Sequence, residues 1–181
     1  MRFVPVKTAE QQSVLMMHRA RDLLIRQRTM LVNALRGHLA ELGIVAAKGM
    51  HKIADLITII MDTADERIPE VARQVLQVIA CQIDELQMRI AVLEAQVLAW
   101  HRNNPVSKRL ATIPGIGPII ASAIAATVPD PSEFRSGREF AAWLGLVPRQ
   151  HSTGGKARLG GISKRGDRYL RRLLVTHKSV I

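Results

Sequence analysis

The sequence predicts an all-α fold: a long helical hairpin or coiled coil, then a small helical domain. Three observations carry this prediction. Ala72, Leu76, Ile79, Ile83, Leu86, Ile90, Leu93, Val97 and Trp100 step alternately by four and three, which is a heptad seam. Aromatic residues are only 3% of the 181 residues while apolar residues reach 48%, so the core must be built from Leu, Ile, Val, Met and Ala, a palette that suits helices better than a β-sandwich. Thr8 to Gln11 and Ser136 to Glu139 each have the form of a capping box, a hydroxyl followed three residues later by Gln or Glu.

Taken in order, residues 1–7 read as extended, with Pro5 restricting Val4. A helix then runs to about Leu42, with Leu24, Leu31, Leu35 and Leu42 on its apolar side and Gly43 as its stop. Arg19, Arg21, Arg26, Arg28 and Arg36 decorate it, either as a solvated face or as nucleic-acid contacts. A second helix spans about His51 to Met61, and the chain breaks near Pro69. The heptad helix follows and ends at His101–Pro105. Its seam needs a partner, either the first helix folded back or a second subunit, and the second alternative makes the chain a homo-oligomer through a coiled coil. A change of composition at Pro105 divides the chain into a helical region, 1–104, and a C-terminal domain, 105–181.

In that domain a helix covers about Val106 to Thr112, and another opens near Pro118 and runs to about Thr127. Between them lies Ile113-Pro114-Gly115-Ile116-Gly117. Two glycines permit a tight hairpin, the isoleucines plug the junction, and Ala121 lets the helices approach. The second helix would present N–H groups to a phosphate, so Gly115, Ile116 and Gly117 are candidate DNA-backbone contacts in what looks like a helix-hairpin-helix motif. A plain αα-turn is the alternative. Phe140, Trp143 and Leu144 on the next short helix are expected to pack as core rather than to stack on bases. A last helix, capped by Ser163, carries Tyr169, Leu170, Leu173 and Leu174 inward and Arg165, Arg168, Arg171 and Arg172 mostly outward.

Charge is distributed unevenly. Residues 1–100 hold 12 Lys/Arg against 11 Asp/Glu, and residues 101–181 hold 14 against 4, so +10 of the net +11 lies in the C-terminal part. Such asymmetry points to a polyanion, most simply nucleic acid. No run of 18 uncharged apolar residues occurs and the N-terminus lacks a signal-peptide core, so no membrane role is expected. One cysteine, Cys81, excludes an intrachain disulfide and suits a cytoplasmic setting.

Cation and glycine coincide between Gly145 and Arg172, where eight Lys/Arg face one acid, Asp167, in a stretch that reads as a polar loop. Arg149, Thr153, Gly154, Lys156, Arg158, Lys164, Arg165 and Arg168 are its candidate DNA contacts. Ser152 sits among them with glycines after it. A serine nucleophile on a phosphodiester needs an exposed hydroxyl, nearby cations and a route for its proton. His151 is adjacent, but sequence neighbours rarely face each other. On these grounds alone Ser152 reads as a phosphate ligand ahead of a nucleophile. His18, His38, His51, His101 and His177 lack metal-ligand spacing, and the acids form no carboxylate pair, so no metal site is expected within the chain. Asp62, Asp65, Glu66 and Glu70 read as a solvated face without a basic site beside them.

The segment LATIPGIGPIIASAIAATVPDPSEFRSGREFAAWLGLVPRQHSTGGKARLGGISKRGDRYLRRLL resembles the C-terminal domain of bacterial insertion-sequence transposases of the IS110 (IS1111) family. The helical stretch from VPVKTAEQQSVLMMHRARDLL onward resembles the middle, coiled-coil region of the same proteins. The resemblance implies a DNA recombinase that acts on element ends and target DNA, in some members with a structured guide RNA as partner. It implies a serine nucleophile, which the HST-GGK match places on Ser152, one residue from Thr153. It also implies an N-terminal resolvase-like domain whose acidic residues bind Mg²⁺. Nothing in these residues resembles that domain, so the expectation is a truncated transposase, cytoplasmic and nucleoid-associated, with no cofactor of its own and Mg²⁺ only where the acidic domain is supplied. The reading from a different class is a non-catalytic DNA- or RNA-binding dimer that co-assembles with or inhibits an intact transposase.

Overall fold

A computed structural model describes residues 6–47, 49–151, 153–156 and 158–176. Among them the chain forms α1 (Ala9–Glu41), α2 (His51–Met61), α3 (Glu70–Asn103), α4 (Pro105–Leu110), α5 (Pro118–Thr127), a 3₁₀ turn (Pro131–Glu133), α6 (Gly137–Trp143), β1 (Pro148–Gln150), β2 (Leu159–Ile162) and α7 (Arg168–Thr176). The fold is mostly α, as the composition requires, and its two strands form a single antiparallel ribbon. No helix among the described residues is long and apolar enough to cross a membrane. Two compact units divide the chain: residues 18–95, and residues 1–17 together with 96–181.

The first unit, 18–95, is a helical hairpin closed by α2. Arg21 on α1 grips Glu94 on α3 through Nε (2.8 Å) and Nη2 (2.6 Å), and Arg28 donates to Gln87. From 21 to 28 the chain advances seven residues while its partner retreats from 94 to 87. The two helices are therefore antiparallel and in heptad register. Val32, Leu35 and Leu39 of α1, Ile53, Leu56 and Ile60 of α2, and Leu76 and Ile83 of α3 share one buried core with Ile44 and Ile68. The other set of seam positions is less covered: Ala72 and Ile79 lie at the edge of that core, and Leu86 and Leu93 are half-buried. The seam thus finds its partner in α1 of the same chain along its first three turns of repeat.

Between α2 and α3 the chain turns around Arg73, which is 3% exposed. Its guanidinium donates to the carbonyls of Ile60 (3.0 Å), Asp62, Asp65 and Ile68 (3.3 Å), satisfying one oxygen in the last turn of α2 and tying the following loop to it. Asp65 takes hydrogen bonds from Arg67, which hold its carboxyl down at about 2. The acidic cluster expected to stand without basic neighbours therefore has two, Arg67 and Arg73. Near the start of α1's part of this unit His18 is fully buried. Loss of solvation, aided by the charge of Arg21, lowers its pKa to about 4.

The second unit starts with the Thr8–Gln11 capping box, formed as expected: Thr8 Oγ1 accepts from Gln11 N–H (3.1 Å) and Gln11 Oε1 from Thr8 N–H (2.9 Å). Val14, Leu15 and Ala126 are buried together, with Met17 and Trp100 against them, and Trp100 Nε1 donates to Glu10. Its main core gathers on α5. Residues 120–127 are all buried, and their small side chains in Ala-Ser-Ala-Ile-Ala-Ala let neighbours come close. Ile120, Ala123, Ile124, Leu144 and Leu170 form the centre, ringed by Leu110, Ile116, Val128, Phe140, Leu146, Tyr169, Leu173 and Leu174. Asn104 caps α4 by accepting from Ser107 N–H (2.8 Å), with Pro105 at the first helical position. Ser136 caps α6, but Glu139 turns to Arg135 N–H (2.8 Å), so that box is only half made.

Candidate nucleic-acid interface

All candidate residues fall in the second unit, on three structures anchored to α5, α6 and α7. The first is the turn between α4 and α5. Ile116 N–H bonds the Ile113 carbonyl (3.0 Å), Pro114 and Gly115 occupy the two central positions, and Gly115 has φ +83°, the pattern of a type II turn. Ile116 packs inward while Ile113 stays largely exposed, so only one of the two isoleucines plugs the junction. Gly117 is the N-cap residue of α5. It offers no side chain to the helix's first N–H groups, and Pro118 has none to satisfy. This end carries the positive pole of a ten-residue helix.

The second structure replaces the expected polar loop with a β-ribbon. Pro148 pairs with Ile162 and Gln150 with Leu159, with a bulge between Pro148 and Gln150. Pairing continues through His151 N–H to the Arg158 carbonyl (2.8 Å) and ends at the Thr153–Lys156 bridge. Lys156 N–H closes on the Thr153 carbonyl (3.1 Å), and Gly154 and Gly155 have φ +57° and +77°, which makes the tip a type I′ turn. A Cβ on either glycine would meet nothing within 4 Å. These glycines are therefore demanded by backbone twist, not by crowding. Along the ribbon every residue of β1 and all but Ile162 of β2 is exposed, so neither face is buried in a core. Two strands gain little stability by themselves. Arg149, His151, Thr153, Lys156 and Arg158 all stand exposed on this arm, with the His151 ring lying across Gly160. Ser152 lies outside the described residues.

The third structure is the segment that roots the ribbon. Ser163 N–H bonds the Val147 carbonyl (2.9 Å), Lys164 N–H bonds that of Gly145 (3.1 Å), and Arg149 Nη2 donates to the Ser163 carbonyl (3.3 Å). Here glycine is demanded by contact: a Cβ on Gly145 would come within 2.8 Å of Arg165 N, and one on Gly166 within 2.0 Å of the Trp143 carbonyl oxygen. Lys164 is the only non-glycine with positive φ among the described residues (φ +58°). Such a conformation is costly for a side-chain-bearing residue and gathers at functional sites. Lys164, Arg165 and Arg168 are exposed.

Three expectations change here. Ser163 does not cap the last helix; α7 starts at Arg168, and Asp167 Oδ1 accepts from Leu170 N–H (2.8 Å), placing the single acid of the stretch where a helix N-terminus favours it. Arg171 does not point outward: Nη1 donates to the carbonyls of Leu144 (3.1 Å) and Gly166 (3.0 Å), clamping the root segment to the end of α6. Trp143 is not core; it is 42% exposed. Sequence reasoning also missed the buried Ser107, whose Oγ lies 2.7 Å from His101 Nδ1. Its burial keeps that hydroxyl away from any external phosphate. Among the described residues no three His, Cys, Asp or Glu side chains converge on a point where a metal could bind.

What the unit presents is a helical scaffold carrying an exposed basic ribbon and a cation-rich root. Residues 107–180 match the family model described as Transposase IS116/IS110/IS902 family, and every candidate residue lies inside that span. Over 97% of its length the chain is 51% identical to a "Probable family 20 transposase" of Pseudomonas aeruginosa, covering 52% of that protein. It is 39% identical to the "Transposase for insertion sequence element IS1328" of Yersinia enterocolitica and 37% to the "Transposase for insertion sequence element IS1111A" of Coxiella burnetii, covering 97% of itself and 52% and 48% of theirs. The chain carries, over residues 107–180, a domain of the IS116/IS110/IS902 transposase family. It spans about half the length of the curated relatives it matches.

Proposed function

We propose that this chain is the DNA-gripping and nucleophile-bearing portion of a transposase. The observation that carries the reading is the ribbon. It is basic and exposed and buries neither face, so its conformation serves a partner rather than the core. A two-stranded ribbon has the dimensions of a DNA major groove. Arg149, Lys156 and Arg158 along it, with Lys164, Arg165 and Arg168 at its root, hold phosphates of the element ends and target. The Gly115–Gly117 turn and the uncapped start of α5 grip backbone as a helix-hairpin-helix does.

Ser152, one residue before the type I′ turn, is the nucleophile. Its Oγ forms a bond to phosphorus, its proton leaves to a base, and the scissile P–O bond breaks with the departing strand oxygen taking up a proton. The cations stabilise the extra negative charge of the phosphorane. Carboxylates for Mg²⁺ come from outside these 181 residues, a structured guide RNA is an additional partner, and a second copy docks on the half-covered Leu86 and Leu93 side of the α1–α3 pair to give a homo-oligomer at the nucleoid.

The test is a covalent protein–DNA adduct on element-end DNA with Mg²⁺, in the presence of a full-length relative. The reading requires an adduct on this chain that is lost in Ser152→Ala and retained in Thr153→Ala. Loss in Thr153→Ala alone shifts the nucleophile by one residue. Salt-dependent DNA binding without any adduct leaves the non-catalytic, co-assembling dimer.

A further inference from the structure

We propose that the aromatic face made by Phe134, Phe140 and Trp143 is a stacking platform for an unpaired nucleobase, an inference that rests on the nucleic-acid reading above and extends it from phosphate to base. Phe134 meets Phe140 edge-on at 5.2 Å and Trp143 at 5.5 Å, while Phe140 and Trp143 are near-parallel, 21° apart at 5.9 Å. Phe140 packs against the core and Trp143 does not, so the trio is an aromatic cluster whose outer member is exposed. In a chain with only six aromatic residues, three in one surface cluster need a reason. Packing gives none, because the indole contributes little to the core that Phe140 and Leu144 already close.

Surrounding charge selects the partner. Arg135 and Arg138 are exposed on the same short segment. On the other side, the backbone of Gly166 lies against the Trp143 carbonyl, which brings the root segment with Lys164 and Arg165 alongside. Nearby Glu139 is engaged with Arg135 N–H, and Asp167 with Leu170 N–H. An exposed indole with Arg135 and Arg138 on its own segment and Lys164 and Arg165 on the adjoining one suits a base with flanking phosphates, whereas an apolar protein segment would leave those charges unmatched. Bases in an intact duplex show no free face, so the ligand is a single strand or an extruded nucleotide.

Intrinsic tryptophan fluorescence tests this with the full chain, titrated at low salt with a short oligothymidine strand and with a duplex of equal length. Wild type is compared with Trp143→Ala, Trp143→Phe and Trp143→Leu, each checked for its helical melt. The proposal requires quenching by the single strand that is missing in all three variants. It also requires single-strand affinity about five- to 150-fold weaker in Trp143→Ala and Trp143→Leu, retention in Trp143→Phe, and unchanged duplex affinity. If Trp143→Ala melts early, the Leu and Phe pair decides alone. Equal affinity in Leu and Phe overturns the platform and favours an apolar protein partner. Duplex binding with a silent Trp143 overturns the platform but not the nucleic-acid reading; no binding to either strand form overturns both.

Discussion

Gly166 lies against the carbonyl oxygen of Trp143 so closely that a Cβ at 166 would fall 2.0 Å from it. The contact joins the root of the ribbon to the end of α6, and Arg171 closes it from α7. Gly166→Ala must displace backbone on one side or the other. We expect a loss of about 2 kcal/mol or more in thermal or urea unfolding of the C-terminal unit. Gly161→Ala, where nothing lies within 4 Å, should stay within roughly 0.5 kcal/mol of wild type.

Lys164 tests whether strain at the root is retained for binding. Lys164→Gly removes the penalty of φ +58° and should raise stability by about 1 kcal/mol while weakening DNA binding. Lys164→Ala keeps the penalty and loses the charge, so it should weaken binding without the gain in melting temperature. Equal stability of the two variants would remove the strain argument.

The helical hairpin depends on Arg73. Its carbonyl partners at Ile60, Asp62, Asp65 and Ile68 are arranged for a planar fork, which a lysine ammonium cannot reproduce. Arg73→Ala should cost about 2–4 kcal/mol in denaturant unfolding, and Arg73→Lys should recover little of it. Full recovery by lysine would show that charge alone matters there.

Buried His18 links that unit to pH. Its folded pKa, about 4, lies below the ordinary value near 6.5, so between these values the unfolded chain binds the extra proton. Stability is complete above pH 6.5 and falls as pH drops toward 4, by up to roughly 3 kcal/mol. His18→Gln should flatten the profile in that window. Asp65 acts in a lower window: its depressed carboxyl contributes above about pH 4, and that contribution disappears as pH approaches 2.

The helices were readable because their signals are periodic or local. The heptad positions Leu76, Ile83 and Ile90 are buried, and the Thr8 cap forms as its spacing implies. The ribbon was not readable, because Pro148-Arg149-Gln150 and Leu159-Gly160-Gly161-Ile162 lack β-branched alternation and bury no face that a pattern could mark. Its turn is encoded in Gly154-Gly155, a pair that suits type I′, but glycines among cations fit a phosphate-binding loop equally well. Trp143 was misplaced because a seven-residue helix is too short for periodicity to separate it from Phe140 and Leu144. Ser163 lost the cap to Asp167 because β2 pairing extends to Ile162 and delays α7 to Arg168. The inward turn of Arg171 depends on the Leu144 carbonyl 27 residues away, which no local pattern encodes.

The central claim is that the ribbon and its root bind DNA through phosphates, and its most direct test is duplex affinity measured against salt. Each neutralised phosphate contributes about −0.9 to the slope of log K against log salt. For wild type we expect a slope of about −3 or steeper, and in Arg149→Ala/Lys156→Ala/Lys164→Ala a slope shallower by about 2 to 3 units with the helical melt retained. A flat wild-type response, or a slope that the triple variant leaves unchanged, would contradict the account.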